Sequence, residues 1–397
     1  MSRRLVLALT AAALASACHL AGCGGDDDPA SPPAAPPGWV RTYGSAVNEI
    51  ALDMKQTTDG GCIITGWIEK PSDPPEVLLL KIDAVGDTLW AKSIPGASGA
   101  LGRSIVPTAD GGYLLLADCW RGANQQFWLI KTDALGNTEW EALKGYSDCD
   151  EQAAEVLQTS DGGYIVMGTT DRAGHDDDIW LVKTDAAGGT QWYAEKGYDD
   201  ADERGVAIEQ TADGGYLIAA FSNHEAAGGR IWLLKLFADG NNHWMHTVPT
   251  QYAAYPTALS RINDGTYVVM GDVTLGNQRF VLFFNYDDAG NQIWSGGAGN
   301  TGVHTSAEIR QTTDGGWLIA GSKQLDADDS ADFWAVRFDA DRELLWEKTF
   351  GSGDDWCYAA APTADGGCIL CGRTRLPGVS WSTDVLVVRT DADGEVD

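Results

Sequence analysis

Apolar and polar positions along this chain form one pattern that recurs every 50 to 52 residues. In the third copy, residues 151–159 have mixed polarity and residues 164–168 are apolar, with Asp161 and Gly162 between them. An Asp-Gly pair supplies the positive φ of a tight hairpin turn, and an apolar run is typical of a strand covered on both faces. Residues 179–185 and 191–196 complete the copy. No segment has the 3.6-residue period of a helix, so each copy predicts four antiparallel strands.

Two residues recur at equivalent positions in every copy and align the copies with one another. The first is a tryptophan in the predicted fourth strand: Trp39, Trp90, Trp140, Trp192, Trp244, Trp294 and Trp346. The second is the aspartate of the Asp-Gly turn after the first strand: Asp59, Asp110, Asp161, Asp213, Asp264, Asp314 and Asp365. Self-similarity at a fixed period indicates a repeat architecture.

The two ends of the repeat region complement each other. The last copy stops at Asp397 after its third strand, whereas residues 39–44 form a fourth strand with no copy before them. Four-stranded blades arranged radially form a β-propeller, which leaves few open sheet edges. We therefore predict that residues 39–397 form an all-β, seven-bladed propeller, closed by pairing of the segment at Tyr43 with the strand that contains Val387.

Two recurring side-chain features are assigned to packing. The repeated tryptophan buries a large indole in each blade. A Lys-x-Asp motif in the third strand, seen at Lys81, Lys131 and Lys183, predicts a polar contact between strands. The fourth copy departs from this motif at Phe237, and the fifth has Asn285 instead of lysine.

The N-terminus predicts an export signal. Arg3 and Arg4 precede an apolar segment, residues 5–17, which is too short to span a bilayer. Residues 20–23, Leu-Ala-Gly-Cys, resemble the bacterial lipobox, in which the cysteine is lipidated and begins the mature chain.

This resemblance implies that residues 1–22 are a signal peptide and that Cys23 carries the lipid. Residues 23–38, rich in Pro, Ala and Asp, then form a flexible tether. An ordinary signal peptide, or lipidation at Cys18, is the alternative. The expected location is the cell envelope, at the outer membrane or the cell surface.

The net charge of the chain restricts the binding partners that it can have. The chain has 27 Lys and Arg against 57 Asp and Glu, a net charge of −30. Such a surface repels nucleic acid and anionic lipid, so nucleic-acid binding is excluded and the membrane is contacted only through the lipid. Cations and basic proteins would be attracted.

Six cysteines lie beyond the export segment: Cys62, Cys119, Cys149, Cys357, Cys368 and Cys371. Disulfides form in exported proteins, and Cys119 with Cys149, from adjacent copies, is the one candidate bridge. Cys368 and Cys371 are three apart in a strand, so they lie on opposite faces and cannot pair with each other.

Residues 158–192, QTSDGGYIVMGTTDRAGHDDDIWLVKTDAAGGTQW, resemble the DGG-type propeller repeats of secreted bacterial and archaeal proteins, including cell-envelope lipoproteins. The likeness covers residues 39–397 and implies the propeller fold. It implies little about function, because most members of that group have no assigned activity. The turn at Asp185, Gly188 and Trp192 is also similar to PQQ-type propeller repeats, and loosely to the sialidase Asp-box.

Propeller topology predicts where a ligand would bind. Connections between the second and third strands, and crossovers between blades, share one face and vary in length, and variable loops on a rigid scaffold carry most binding sites. Acids and non-repeating tryptophans concentrate there. The candidate ligand-binding residues are Trp67, Trp120, Trp356, Trp381, Asp178, Asp202 and Asp354.

Calcium is the one cofactor considered, because carboxylate oxygens are its preferred ligands. Asp326, Asp328 and Asp332 are the candidate ligands. Residues 391–397 also contain several acids, but they coincide with a repeat turn, which explains them without a metal.

Three functional hypotheses remain open. The first is a non-catalytic, envelope-anchored binding or scaffold module whose acidic loop face binds a glycan, a cation or a basic protein. The second is an extracellular enzyme, carbohydrate-active or PQQ-dependent, although the chain contains no G-x-S-x-G, H-E-x-x-H or P-loop motif. The third is a structural surface protein without a specific ligand, in which the acids are a solvated surface.

Overall fold

The computed structural model describes residues 37–396, except for residues 46, 123, 147–148, 173–175, 225–228, 276–277, 300–302, 325–329 and 376–381. The regular structure of the described residues consists of β-strands, which form seven four-stranded antiparallel blades. The predicted all-β, seven-bladed propeller is therefore confirmed. In the described part of the chain, no helix combines the length and hydropathy needed to cross a membrane.

The strands follow the chain order within each blade, except in blade 7. Blade 1 comprises β2 (Asn48–Gln56), β3 (Cys62–Glu69), β4 (Glu76–Ile82) and β5 (Thr88–Pro95). Blade 2 comprises β6 (Ala100–Pro107), β7 (Tyr113–Arg121), β8 (Asn124–Thr132) and β9 (Thr138–Lys144). Blade 3 comprises β10 (Cys149–Gln158), β11 (Tyr164–Arg172), β12 (Asp177–Thr184) and β13 (Thr190–Lys196). Blades 4 and 5 comprise β14 (Glu203–Gln210), β15 (Tyr216–Ser222), β16 (Arg230–Leu236) and β17 (Asn242–Thr247); and β18 (Ala254–Arg261), β19 (Tyr267–Leu275), β20 (Gln278–Tyr286) and β21 (Gln292–Ala298). Blades 6 and 7 comprise β22 (Val303–Gln311), β23 (Trp317–Gln324), β24 (Ala331–Phe338) and β25 (Leu344–Phe350); and β26 (Trp356–Pro362), β27 (Cys368–Thr374), β28 (Asp384–Arg389) and β1 (Trp39–Tyr43).

Ring closure follows the prediction. β1 pairs antiparallel with β28, with Arg41 opposite Val387 and Tyr43 opposite Val385. The first strand of the described residues therefore supplies the outer strand of blade 7, and the sheet edge of β28 is covered.

Each recurrent tryptophan packs against the third turn of the next blade. A Cβ placed on Gly188 would lie 2.7 Å from Cζ3 of Trp140, and Gly136 has the same relationship to Trp90. These turn glycines also have a positive φ, 78° at Gly188. Glycine is required twice over, by backbone conformation and by the indole beneath it.

The apolar core lies between adjacent blades. One cluster combines Ile63 and Leu79 of blade 1 with Ile105 and Leu115 of blade 2. Both faces of each inner strand are covered in this way, which explains the apolar runs in the sequence.

The recurring lysine of the third strand makes a polar contact, but not with the aspartate two residues later. Lys183 Nζ lies 2.9 Å from Oδ2 of Asp161, in the first turn of its own blade. Asp185 instead accepts backbone hydrogen bonds from Ala187 and Gly189 and closes the third turn. The same ion pair recurs as Lys81–Asp59, Lys131–Asp110, Lys235–Asp213, Arg337–Asp314 and Arg389–Asp365.

The proposed bridge between Cys119 and Cys149 is wrong, since the structure contains no disulfide among the six described cysteines. Cys119 packs in the core between blades 1 and 2, whereas Cys149 begins the first strand of blade 3. Cys368 and Cys371 belong to core clusters on opposite sides of β27, as expected.

Candidate functional site

The turns and crossovers between strands lie on two opposite faces of the propeller. In blade 1 the first and third turns meet, since a Cβ on Gly60 would lie 3.4 Å from Ala84. On the opposite side, Ala100 N, where the crossover to blade 2 ends and β6 begins, donates to Pro75 O in the connection between β3 and β4. We call this second side, formed by the crossovers and the connections between second and third strands, the loop face.

The candidate tryptophans lie on the loop-face ends of separate blades. Trp67, in β3, Trp120, in β7, and Trp356, at the start of β26, are all half-buried. Trp356 Nε1 donates to Oδ1 of Asp354 at 2.7 Å, so these two candidates are in contact. Trp381 lies outside the described residues.

The candidate acids have partners within the protein. Asp202 is clamped to Asn223 by hydrogen bonds in both directions. Asp354 accepts the Trp356 indole and lies 3.8 Å from Arg375. Asp178, at the start of blade 3's third strand, packs against Gly197. Asp178 and Asp202 lie at the same junction between blades 3 and 4, where Asp177 N donates to Asp202 Oδ1. Asp354 lies in the crossover into blade 7, so the structure does not bring all three candidate acids together.

Several loop-face acids have a structural role. Glu151 Oε1 accepts Tyr146 N, Glu203 Oε2 accepts Tyr198 N, and Asp355 Oδ2 accepts Ser352 N. All three side chains are buried, and each caps the crossover that precedes its strand. Burial raises the pKa of Glu203, and nearby Asp178 adds to that increase.

The calcium prediction remains a prediction. Asp326 and Asp328 lie outside the described residues, and Asp332 is half-buried at the start of β24. Burial, reinforced by Asp355, raises the pKa of Asp332. Within the described part of the chain, no group of three or more His, Cys, Asp or Glu side chains converges as metal ligands.

The most prominent loop-face feature was missed by sequence reasoning. Two stacked aromatic pairs flank blade 4: Tyr198 with His224 at 3.9 Å and 12° between planes, and Phe221 with Tyr255 at 5.1 Å and 3°. Tyr255 is 47% exposed and Tyr198 36%. We call Tyr198, Phe221, His224 and Tyr255 the aromatic platform.

Local backbone structure holds the platform in place. The cap from Glu203 fixes the main chain at Tyr198, whose ring also lies 5.6 Å from that of Trp232. Gly229, with φ of 79°, passes directly beside Phe221, where a Cβ would overlap the ring. Gly229 therefore leaves room for the Phe221 ring, and a larger side chain at this position would displace that ring.

Charged groups surround these rings. His224 Nδ1 lies 3.3 Å from Asp200, whose side chain is 81% exposed. Arg204, cross-strand from Phe221, pairs with Asp177 at 2.7 Å. The arrangement offers flat apolar surface bordered by carboxylates and a guanidinium, which can accept and donate hydrogen bonds.

A signal for the platform was present in the sequence. Tyr198 follows Lys196-Gly197 in its crossover, as Tyr146 follows Lys144-Gly145 one repeat earlier, and Tyr255 lies at the start of β18. Among aromatic side chains, only the non-repeating tryptophans were predicted as ligand contacts, and these two tyrosines were not.

The ring centre contains a second group of polar residues. Every first strand has a β-bulge, for example between Ala153 and Glu155, and the bulges line a narrow cavity of about 130 Å³. Asp53, Lys55, Glu155, Glu308 and Arg310 face it. Burial raises the pKa of Glu155 to about 7, against a partial opposing effect of Lys55.

Comparison with known proteins gives fold but no family. No family model matches the chain, and no curated protein matches its sequence. Solved structures with similar folds include an ulvan lyase of polysaccharide lyase family PL25, bound to a GlcA(1-4)Rha3S saccharide (TM-score 0.56, 9% identity, 89% of this chain and 96% of that one). They also include the polysaccharide lyase Uly1 (0.54, 11%, 88% and 91%) and a protein of unknown function from Dyadobacter fermentans (0.50, 12%, 88% and 98%). At these identities the likeness establishes that the chain shares the β-propeller fold with enzymes and with proteins of unknown function.

Proposed function

We propose that this protein is an exported, lipid-anchored binding module and that its aromatic platform binds a glycan. The observation that carries the proposal is the nearly parallel stack of half-buried Phe221 and exposed Tyr255, with the Tyr198–His224 stack on the other side of blade 4. Large aromatic side chains are usually buried, so a rigid exposed group of them marks a contact surface.

A sugar ring matches this surface chemically. Pyranoses have flat faces of C–H groups that pack against aromatic rings, and hydroxyl groups at their edges. Around the platform, Asp200 supplies exposed carboxylate oxygens and Arg204 supplies guanidinium donors. Support also comes from the two polysaccharide lyases of similar fold, which act on carbohydrate.

The test is a glycan array followed by titration of the best ligand with wild type, Tyr255→Ala and Tyr198→Ala. Removing one ring should weaken binding about fivefold or more, since a stacked aromatic contributes about 1 kcal/mol or more. Tyr193→Ala is the matched control, because this tyrosine is 64% exposed on the outer strand of blade 3, outside the platform. Binding that survives both platform substitutions would move the site elsewhere on the face.

A second variant examines the tryptophan candidates. Alanine at Trp67, Trp120, Trp356 and Trp381 together should leave glycan affinity near the wild-type value if the platform is the site. Loss of glycan binding in this variant alone would favour a binding site on the loop face of blades 1, 2 and 7 instead of the platform. No binding by the wild type to any glycan would leave a basic protein partner or a structural role.

Catalysis is tested on the same ligand. The proposed module should bind it without releasing new reducing ends, whereas a carbohydrate-active enzyme would degrade it. Reconstitution with PQQ and calcium, followed by dye reduction, checks the quinoprotein alternative, and we expect no activity.

The anchor is tested separately. In a bacterial host, wild type should incorporate labelled palmitate and fractionate with membranes, and Cys23→Ser should be released in soluble form. Cys18→Ser is the control and should remain lipidated. Labelling of Cys23→Ser but not of Cys18→Ser would assign the lipid to Cys18.

A further inference from the structure

A second pocket lies between blades 5 and 6, away from the aromatic platform. It has a volume of about 420 Å³, within the range of small-molecule sites. Four aromatic rings line it: Phe283, Trp294, Trp317 and Phe338. The Trp294 and Trp317 rings meet edge to face with centroids 5.5 Å apart.

The wall of the pocket departs from the repeat in blade 5. Two residues after the recurrent tryptophan, the other copies have a residue with a side chain: Arg41, Lys92, Ala142, Ala194, His246 and Lys348. Blade 5 has Gly296, followed by Gly297. A Cβ on Gly296 would lie 2.4 Å from Cε2 of Phe283, so glycine is what admits the phenyl ring.

A second departure stands at the mouth of the same pocket. Six third turns place glycine over the preceding blade's tryptophan, but blade 6 has Arg342 at that position. Arg342 keeps the left-handed backbone of the glycine it replaces, with φ of 68°, which is unfavourable for an arginine. Strain retained at a cavity entrance points to function rather than folding.

The arginine is available to a ligand. Its Cζ lies 4.9 Å from the centroid of the Trp294 ring. In the described part of the chain, no carboxylate lies within ion-pair distance of it, although the protein has 57 acidic residues. Arg342 is also the one charged residue among those that line the pocket.

Two other inter-blade pockets in the described part of the chain lack this combination. The pocket between blades 7 and 1 is lined by Glu49, and a pocket between blades 1 and 2 by Arg121 together with Glu141. A carboxylate in the wall disfavours an anion. The blade 5–6 pocket instead combines an aromatic interior with one unpaired cation.

We propose that the blade 5–6 pocket binds a small organic anion with a planar aromatic body. The aromatic body enters among Trp294, Trp317 and Phe338, and the carboxylate pairs with Arg342. A guanidinium is well suited to a carboxylate because it donates two parallel hydrogen bonds.

Titration with 2-naphthoate, followed by tryptophan fluorescence and by calorimetry, tests this site. Wild type should show saturable binding of one equivalent. Arg342→Gly, which restores the residue of the other repeats, should weaken binding at least tenfold without lowering the urea midpoint. Arg41→Ser removes an exposed arginine beside another recurrent tryptophan, 6.0 Å from Trp39, and should bind as wild type does.

Two further ligands separate the contribution of the carboxylate charge from that of the aromatic ring. The neutral 2-naphthylmethanol should bind wild type at least tenfold more weakly than 2-naphthoate and should not distinguish wild type from Arg342→Gly. Absence of saturable naphthoate binding, or equal affinity in Arg342→Gly, would overturn the proposal. Tighter binding of decanoate than of naphthoate would overturn the aromatic assignment.

Discussion

The ammonium nitrogen of Lys235 lies 2.8 Å from Oδ2 of Asp213, and the lysine side chain is fully buried. Thr211 Oγ1 accepts a further hydrogen bond from it at 2.7 Å. A buried cation needs such partners because its desolvation is unfavourable. The recurring Asp-Gly turn therefore shapes the hairpin and also neutralises the cation of the third strand.

Asp213→Asn separates these two roles. The amide oxygen can still accept from Thr211 and Gly215, but the closer of the two negative charges beside Lys235 is lost and only Asp288, at 3.6 Å, remains. We expect about 1–2 kcal/mol lower free energy of unfolding in urea. Asp264→Asn is the control, since blade 5 has Asn285 in place of the cation; it should change stability by less than about 0.5 kcal/mol.

Two glycines of blade 3 distinguish backbone strain from packing. Gly162 and Gly188 have φ of 82° and 78°, but a Cβ on Gly162 meets nothing within 4 Å, whereas one on Gly188 meets Trp140. Gly162→Ala should lose about 1 kcal/mol of stability and Gly188→Ala clearly more, about 2–4 kcal/mol. Equal losses in the two urea midpoints would mean that the indole moves aside freely.

Trp39 tests the closure of the ring. Its side chain is 7% exposed and packs on Gly86 of blade 1. Trp39→Ala should reduce the free energy of unfolding by about 3–5 kcal/mol. Val40→Ala, an exposed position in the same strand, should cost less than about 1 kcal/mol. If the tryptophan variant were as stable as wild type, β1 would contribute little to holding blade 7 together.

Stability should decrease on both sides of a mildly acidic optimum. Hydrogen bonds from Lys131 and Thr108 lower the pKa of Asp110 to about 2, so its contribution is present above the ordinary value of 3.8 and is lost as pH falls toward 2. Glu155 has the opposite sign: burial raises its pKa from 4.5 to about 7, so stability is lost as pH rises across that interval. Urea unfolding between pH 3 and 8 should show a maximum near pH 5. A maximum at pH 7 or above would contradict the assignment for Glu155.

Glu155→Gln isolates the alkaline side of that profile. The amide oxygen keeps the hydrogen bond from Ile208 N but carries no charge into the central cavity. The variant should exceed wild type by about 1–2 kcal/mol at pH 8 and show no gain at pH 4.5. Glu343→Gln, on an exposed turn, should follow the wild-type profile throughout.

Most of the fold was accessible from sequence because it depends on local, repeated chemistry. The Asp-Gly turn at Asp161, the apolar run after Tyr164 and the tryptophan at Trp192 each fix a strand or a turn without reference to the rest of the chain. Even the closure at Tyr43 followed from counting strands at the two ends.

The candidate site was less accessible because it depends on contacts between copies. The buried roles of Glu151 and Glu203 arise from backbone groups of crossovers, and carboxylates of this kind look the same in sequence as exposed ones. The pairing of Phe221 with Tyr255 joins different blades. Arg342 and Gly296 were visible as departures from the repeat, but only the structure places both at one pocket.

The sharing of blade 7 between the two ends of the chain has a consequence for biogenesis. Val40 and Val388 are partners in the last sheet, yet the first is synthesised long before the second. During synthesis β1 has no partner strand until β28 has been made, and pairing at such sequence separation is slow. Until then the outer strand position of blade 7, beside β28, is empty in each molecule. At high expression, two molecules can fill these positions by exchanging their β1 strands.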